Sequence, residues 1–425
     1  MPSETVDSPV KPDAFAALRY PEFRFYLGTR FFLTFALQMK AVIVGWFVYS
    51  VTKDPLSLGM IGLAEAIPAL CVALFGGYVA DRSNKRSMLI IVISTILTAA
   101  TLLFVVTMPS MHQSINTHLL IAIVYVVVFL DGLARGFFAP AAFSLMASLV
   151  PRELYPNSSS WNSSCWQLAA VAGPAAGGLI YGFYGMSVTM GIVLLLMVLS
   201  ISSLLMLKSK PVNVLEKKES MWSSLGEGIK FVFNTKMMLG AMTLDMFSVF
   251  FGGAVALLPV FANDILKVGA EGLGVLRAAP SAGAVITMLI MTRYTPAVRP
   301  WRNLIVAVTG FGICTILFGI SKNFYLSIVF LFLVGAFDSV SVIIRSTIFQ
   351  MLTPDHMRGR VSAVNTMFIG SSNEIGAFES GVTAKIMGTT RAVIFGGCMT
   401  VLIVAATFAK TKSLLPIRLV GKEFK

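Results

Sequence analysis

Eleven ionisable side chains lie inside long apolar segments of the sequence, where a charge is costly to bury. Residues of this kind are usually retained because they bind a substrate, an ion or a proton. No paired nucleophile and base stands out among them, so they indicate binding and proton movement rather than bond cleavage. The candidates for a substrate or proton-coupling site are Arg30, Lys40, Glu65, Asp131, Arg135, Asp245, Arg277, Asp338, Arg345, Glu374 and Glu379.

The spacing of these residues suggests how their charges are compensated. Asp131 and Arg135 are four residues apart, so on a helix they share one face and can form a local ion pair. Asp338 and Arg345 are two turns apart and offer a similar arrangement later in the chain. Each of these pairs can be structural or can belong to a binding site.

Two carboxyl groups head the candidates for carrying a proton. Asp131 and Glu374 both fall near the middle of an apolar segment long enough to cross a membrane. A carboxyl at this depth can exchange a proton near neutral pH, which a proton-coupled carrier requires. Glu65, one turn before Pro68, is expected either to face the segment of Glu374 or to make an interhelical hydrogen bond.

The composition is that of an integral membrane protein. Hydrophobic residues make up 56% of the 425 residues and charged residues 12%, against about 25% charged in soluble domains. So few charges exclude a soluble enzyme and a disordered chain. The four cysteines are far apart and the three histidines do not cluster, so we predict no disulfide, metal or other cofactor. The sequence contains no Gly-x4-Gly-Lys-Ser/Thr loop, so ATP is not expected to be the direct energy source. No cleavable signal peptide is expected.

Twelve continuous apolar runs are long enough for transmembrane helices, because a helix crosses the hydrocarbon core with roughly 20 residues. A β-barrel would show alternating segments of about ten residues instead. We therefore predict an all-α membrane protein of two six-helix bundles. Its spans lie near 25–50, 57–79, 88–108, 118–145, 160–182, 187–207, 237–261, 272–292, 303–321, 325–350, 362–387 and 391–409.

Lysine and arginine are distributed unevenly between the loops. With the N-terminus inside, 23 of the 33 basic residues fall in cytoplasmic segments and five outside, so both termini are predicted to be cytoplasmic. The net charge of +13 therefore reflects topology and not a nucleic-acid partner. Residues 222–233 can form an amphipathic helix on the cytoplasmic face. The predicted units are an N-terminal segment 1–23, a bundle 24–207, a linker 208–236, a second bundle 237–409 and a tail 410–425.

The two halves of the chain repeat one another. Two parallel six-span repeats imply a pseudo-two-fold axis along the membrane normal. The substrate site is then expected between the halves, with access that alternates between the two sides. The matches align Asp131-Gly132 with Val334-Gly335, Gly178 with Gly381, and, at a larger offset, Leu58-Gly59 with Leu273-Gly274.

The loop after the second span reads Gly77-Tyr78-Val79-Ala80-Asp81-Arg82-Ser83-Asn84-Lys85-Arg86. Its glycine permits close packing of helices, its acid can cap a helix or pair with a base, and its bases can bind acids of neighbouring spans. The loop resembles the loop 2–3 signature of the major facilitator superfamily, Gly-x-Leu-Ala-Asp-Arg-x-Gly-Arg-Lys. The resemblance implies a conformational role for Gly77, Asp81, Arg82, Lys85 and Arg86.

The fifth span contains Gly173-Pro174-Ala175-Ala176-Gly177-Gly178. Small residues let helices approach closely and proline bends a helix, so ordinary packing is one explanation. The segment also resembles the Gly-Pro-x-x-Gly-Gly signature of the antiporter branch of major facilitators, carried here by Gly173, Pro174, Gly177 and Gly178. That resemblance implies an exporter driven by proton antiport.

Longer segments resemble the macrolide-efflux and enterobactin-exporter branch of this superfamily. The most specific runs from Leu352 to Val361, and another, Leu18 to Arg24, precedes the first span. The resemblance implies the major facilitator fold and a bacterial inner-membrane exporter of drugs or siderophores. Because one chain supplies both halves, we expect it to work as a monomer. In that fold spans one, four, seven and ten line the cavity, which would place Lys40, Asp131, Arg135, Asp245 and Asp338 there.

The nature of the cargo stays open at this stage. Aromatic and methionine side chains suit adaptable binding of small amphipathic molecules, although they can equally face lipid. A lysophospholipid flippase or a metal-ion exporter on the same fold is the alternative, and a sensor or receptor is a second one. The side chains in question are Phe31, Phe32, Phe35, Trp46, Met246, Phe247, Phe250 and Phe251.

Overall fold

The structure is a computed structural model that describes residues 13, 15–108, 111, 115–208, 221–291, 299–354 and 357–416. Within those residues the chain is helical and contains no strand. Numbered in chain order, the helices are α1 (Pro21–Thr52), α2 (Pro55–Arg82), α3 (Lys85–Val106), α4 (Thr117–Ala147), α5 (Tyr155–Leu205), α6 (Met221–Asn234), α7 (Lys236–Phe251), α8 (Gly269–Met291), α9 (Pro300–Ile320), α10 (Phe324–Leu352), α11 (Arg358–Met387) and α12 (Thr389–Lys410).

The helices begin where the sequence supplies a cap. Asp54, Asn84, Asn116 and Asn323 stand just before α2, α3, α4 and α10, and each side chain accepts a hydrogen bond from a backbone N–H of the first turn. Proline opens α1, α2 and α9, where its missing N–H has no intrahelical partner to lose. These signals separate consecutive spans by only a few residues.

The number of crossings follows from helix lengths and one bend. Ten helical segments of the described residues are long and apolar enough to cross a membrane. One of them is α5, whose 51 residues reach about 77 Å and bend at Gly185, where φ is 75°, so it makes two crossings of a core about 30 Å thick. The 30-residue α11 is long enough but more polar than the others. Counting α5 twice and adding α11 would bring the ten segments of the described residues to the predicted twelve, a number that helix length allows but does not by itself establish.

Two separate hydrophobic cores organise the halves of the bundle. One core is built mainly from α1, α3, α4 and α5, with α2 packed against it, and a second from α6, α7 and α9 to α12. A third cluster joins the halves, because Val42 and Trp46 of α1 pack among residues of the second half such as Leu257 and Leu273. The all-α, two-bundle fold class predicted from the sequence is confirmed.

The predicted amphipathic helix at 222–233 is present as α6. Its Val232 is fully buried in the core of the second half, with Ile229 and Phe231 partly buried against it. Glu227 of α6 forms an ion pair with Arg360 at the start of α11. The segment between the halves is therefore attached to the second one.

The two halves also share their internal packing. A Cβ on Gly132 of α4 would lie 2.2 Å from the Glu65 carbonyl oxygen of α2, and one on Gly335 of α10 would lie 1.9 Å from the Pro280 carbonyl oxygen of α8. Each of the two aligned glycines thus allows the same pair of helices to pack closely in its half of the chain.

Candidate functional site

Arg135 is the centre of an ion network that joins the two halves. It lies on α4, and its Nη1 atom donates to Glu65 Oε1 of α2 at 2.6 Å and to Glu374 Oε1 of α11 at 3.1 Å. Glu65 therefore faces α11, one of the two arrangements expected from the sequence. Arg277 of α8 interacts electrostatically with both carboxylates, so two cations face two anions.

The network lies open rather than sealed. The Arg135 side chain is 60% exposed, while Glu65 is 30% and Glu374 20% exposed. These side chains meet where the two halves face one another, and solvent can reach them.

Lys40 and Asp131 form a second and more buried ion pair. Lys40 Nζ of α1 lies 2.6 Å from Asp131 Oδ2 of α4, and the two side chains are 5% and 12% exposed. Asp131 Oδ1 is buried and accepts no hydrogen bond from the part of the chain that the structure describes. The local pair between Asp131 and Arg135 considered from their spacing does not form. Each residue binds an oppositely charged group of another helix instead, because the bundle brings those groups closer.

A third ion pair lies inside the second half. Arg345 of α10 pairs with Asp245 of α7, both side chains are nearly fully buried, and Arg345 Nε also donates to the Ser341 carbonyl oxygen at 3.3 Å. The expected pairing of Asp338 with Arg345 does not form, since Asp245 occupies the guanidinium. Asp338 interacts with this pair only at longer range and forms no ion pair with a described residue.

Two further candidates lie apart from the network. Arg30 of α1 stacks over the Phe138 ring of α4, 5.1 Å from its centroid. Glu379 of α11 accepts a 2.7 Å hydrogen bond from Thr383, one turn later on the same helix. The structure therefore does not bring Glu379 to the other charges, although it shares a helix with Glu374.

Close glycine contacts join the two halves at one end of their interface. We name this end, which the charge distribution predicts to be extracellular, the outer end. A Cβ on Gly178 of α5 would lie 2.4 Å from the Gly274 Cα of α8, and one on Gly59 of α2 would lie 3.1 Å from the Gly381 Cα of α11. The repeat aligns Gly59 with Gly274 and Gly178 with Gly381, so the two contacts are equivalents across the pseudo-two-fold axis.

The remaining residues of the antiporter-like segment pack within the first half. A Cβ on Gly173 would lie 2.8 Å from Gln38 Cβ, and one on Gly177 would lie 3.0 Å from the Met39 Cα, both on α1. Pro174 lies inside α5, and its carbonyl oxygen borders Gly274. This segment therefore seats α5 against α1 on one side and α8 on the other.

Polar contacts at the outer end were not foreseen from the sequence. The Tyr49 hydroxyl of α1 donates to Asp264 in the helical turn Phe261–Ile265 that follows α7, and Lys385 Nζ of α11 lies 2.6 Å from Asp54 Oδ2 before α2. Both contacts join the two halves. The residues are ordinary loop-flanking polar groups in the sequence, and only the folded bundle pairs them.

The loop 2–3 residues are described in part. The side chains of Asp81 and Arg82, and the surroundings of Gly77, lie outside the described residues. Lys85 Nζ donates to the Ser83 carbonyl oxygen at 3.1 Å, and Arg86 donates to the Leu205 carbonyl oxygen at 2.9 Å. Arg86 thus places a cation at the C-terminus of α5, where it is electrostatically favourable.

A cavity of about 320 Å³ lies between α7 and α11. Its wall is apolar, and it contains three of the side chains considered for binding cargo. The lining residues are Met246, Phe247, Phe250, Met367, Phe368, Ser372 and Ile375. Among the described residues no group of three His, Cys, Asp or Glu is placed to hold a metal ion.

Comparison with known proteins agrees with this geometry. The sequence model of the transmembrane secretion effector family matches residues 12–417. The chain is 24% identical over 375 residues to the enterobactin exporter EntS of Escherichia coli O1:K1, which covers 87% of this chain and 86% of that protein, and the EntS of Shigella flexneri matches to the same extent.

Solved structures share the fold at low sequence identity. The nucleoside transporter NupG has a TM-score of 0.71 at 14% identity, covering 92% of this chain and 99% of its own. A bacterial homologue of the lysosomal transporter Spinster, solved inward-facing and unoccupied, has a TM-score of 0.72 at 12% identity, covering 97% and 100%. A D-xylose–proton symporter has a TM-score of 0.72 at 14% identity, covering 95% and 100%. These proteins are transporters, not enzymes.

Proposed function

Since the chain belongs to the transmembrane secretion effector family of the major facilitator superfamily, we propose that it exports small amphipathic organic molecules in exchange for protons. The observation that carries this proposal is the position of Arg135. It lies between a carboxylate of its own half and a carboxylate of the other half, within reach of solvent.

The network supports coupling because its bonds depend on charge. The bond from Arg135 to Glu374 is charge-assisted, and a proton on Glu374 removes that charge. Arg135 then keeps its ion pair with Glu65 and loses its ion pair with Glu374 of the second half. Proton binding and the contact between the halves are thereby linked through one side chain.

The closed outer end supports alternating access. Glycine contacts and the pairs Tyr49–Asp264 and Lys385–Asp54 hold the halves together there. The cores of the two halves are separate clusters, and the cluster that joins them contains Val42 and Trp46 of α1. This arrangement suits a state that takes up cargo from the cytoplasm and releases it outward when the outer end opens.

The relatives and the apolar cavity support a proposal for the class of cargo. The similar curated proteins are named as enterobactin exporters, so a siderophore-like molecule is the first candidate. Met246, Phe247 and Phe250 of the cavity between α7 and α11 suit aromatic or lipophilic drugs as well. The described residues give no support to a metal ion as cargo. We place the protein in a bacterial inner membrane as a functional monomer, with both termini cytoplasmic.

Inside-out membrane vesicles test this function. With an acidic lumen, vesicles carrying the protein are expected to accumulate enterobactin or members of a panel of amphipathic drugs, and nigericin should abolish the accumulation. A lysophospholipid in the panel tests the flippase alternative. Absence of accumulation for every compound, or accumulation that ignores the pH gradient, contradicts the proposal.

A further inference from the structure

Arg30 differs from the other cations of the spans in the group that faces it. Lys40, Arg135 and Arg345 each form an ion pair, and Arg277 interacts with two carboxylates. The Phe138 ring stacks on the Arg30 guanidinium, and no described carboxylate lies within 4 Å of it. Its Nε atom is buried and has no hydrogen-bond partner among the described residues. The charge is thus held in the bundle without a counterion from the described chain.

The second half of the chain contains the residues equivalent to Arg30 and its neighbours, and the alignment that identifies them can be compared with contacts in the structure. An offset of 215 residues aligns Gly59 with Gly274. The same offset relates Tyr49 and Asp264, which contact each other. Residues that are equivalent under a two-fold axis can meet beside that axis, so this contact agrees with an offset of 215 between α1 and residues 236–265.

The same register shows which partner Arg30 lacks. The offset of 215 makes Arg30 the equivalent of Asp245 in the repeat. The offset of 203, which aligns Gly132 with Gly335, makes Ala142 the equivalent of Arg345. In the second half Asp245 and Arg345 neutralise each other. In the first half position 142 is alanine, and its carbonyl oxygen accepts the Tyr26 hydroxyl at 3.1 Å. Among the described residues, the first half therefore carries an unpaired positive charge at the position where the second half has a neutral ion pair.

The surroundings of Arg30 suit an organic anion. Arg30 is the tenth residue of α1, about 15 Å along the helix axis from Lys40, on the side predicted to face the cytoplasm. The rings of Phe31 and Phe35 pack 5.7 Å apart beside it on the same helix. A guanidinium presents paired N–H donors that fit a carboxylate, sulfonate or phosphate group.

We propose that Arg30 binds an anionic group of the cargo on the side of the bundle predicted to face the cytoplasm, while the Phe138 ring stacks on its guanidinium. The proposal rests on the export function above and narrows its cargo to organic anions with an aromatic or lipophilic part. Arg30 then acts as a specificity residue, separate from the network around Arg135.

Two fluorescent probes that differ by one charged group test this site. The protein in lipid nanodiscs is titrated with 1-anilinonaphthalene-8-sulfonate and with the uncharged N-phenyl-1-naphthylamine, and protein-free nanodiscs supply the background. The wild type should bind the sulfonate more tightly. Arg30→Gln should weaken sulfonate binding about tenfold or more and change binding of the uncharged probe less than about threefold. Arg30→Lys should keep part of the preference, because it keeps the charge.

Binding of the uncharged probe shows that a variant is folded, so misfolding cannot imitate the expected result. The proposal is overturned if the wild type shows no preference for the sulfonate, or if Arg30→Gln weakens both probes alike or neither. The titration runs at one pH without a gradient. The titration therefore does not depend on proton-driven transport. A failure of proton-driven transport would contradict the export mechanism but not binding of an anion by Arg30.

Discussion

Gly178 of α5 lies against Gly274 of α8 so closely that the backbones of the two halves touch at the outer end. The equivalent contact between Gly59 and Gly381 lies across the pseudo-two-fold axis. Neither position leaves room for a side chain. Opening of the outer end must therefore separate two backbone contacts, and closing must restore both.

A larger side chain at one of these contacts should hold the outer end open. We expect Gly381→Leu to reduce transport at least about tenfold, since the Gly59 Cα lies 2.8 Å from where the new Cβ would be. Gly370→Leu on the same helix is the control, because a Cβ there meets nothing within 4 Å. Transport assays on both variants check this directly.

The position of the gate can be followed separately from transport. Val260 is buried at the outer end beside Tyr49 and Leu58. In a variant lacking the four natural cysteines, a cysteine at Val260→Cys should react with an impermeant maleimide faster when Gly381→Leu is present. Equal labelling with Gly381→Leu and with Gly370→Leu would show that the glycine contact does not close this end.

Replacing only one residue of the buried ion pair between Lys40 and Asp131 should lower the stability of the protein strongly. Lys40→Met is expected to destabilise the protein by about 3–5 kcal/mol, because it leaves the Asp131 charge buried without its cation. The double variant Lys40→Met with Asp131→Leu should regain most of the stability and still fail to transport. Thermal unfolding of the single and double variants in detergent measures the coupling. Additive losses of stability would mean that the two residues are not paired.

Asp54 has two roles at the outer end that substitutions can separate. It caps α2 through the Leu56 N–H and pairs with Lys385 of α11. Asp54→Asn keeps a capping side chain and removes the charge, so we expect a loss of stability below about 1 kcal/mol. Asp54→Ala removes both and should cost about 1 kcal/mol more. Melting temperatures that are equal for the two variants would exclude the capping role.

The sequence predicts the architecture well because membrane physics constrains it strongly. Apolar runs and the placement of bases located the spans, and the break between the fifth and sixth spans falls at Gly185 as the pattern predicts. The glycines that align the two halves in the sequence also make the contacts at the outer end, but the alignment alone does not predict those contacts. The polar α11 was found only because residues 362–387 continue an apolar pattern around Glu374 and Glu379.

The pairing of charges was not predictable from spacing. Asp131 and Arg135 share a face of α4, yet Lys40 of α1 binds the first and Glu65 of α2 the second. Asp338 loses its expected partner to Asp245. In each case the choice depends on which helices lie side by side, and that information is absent from local sequence. The same reason explains why the contact between Lys385 and Asp54, far apart in the chain, was missed.

The central claim is that Glu374 couples protons to movement of cargo, and one comparison on α11 tests it most directly. Glu374→Gln and Glu379→Gln make the same chemical change five residues apart, but only Glu374 contacts Arg135, whereas Glu379 is bound by Thr383. Inside-out vesicles containing each variant are assayed for accumulation driven by the pH gradient and for exchange of preloaded cargo without a gradient. Glu374→Gln should lose the driven accumulation and retain exchange, while Glu379→Gln should keep both. Normal gradient-driven accumulation by Glu374→Gln would contradict the claim.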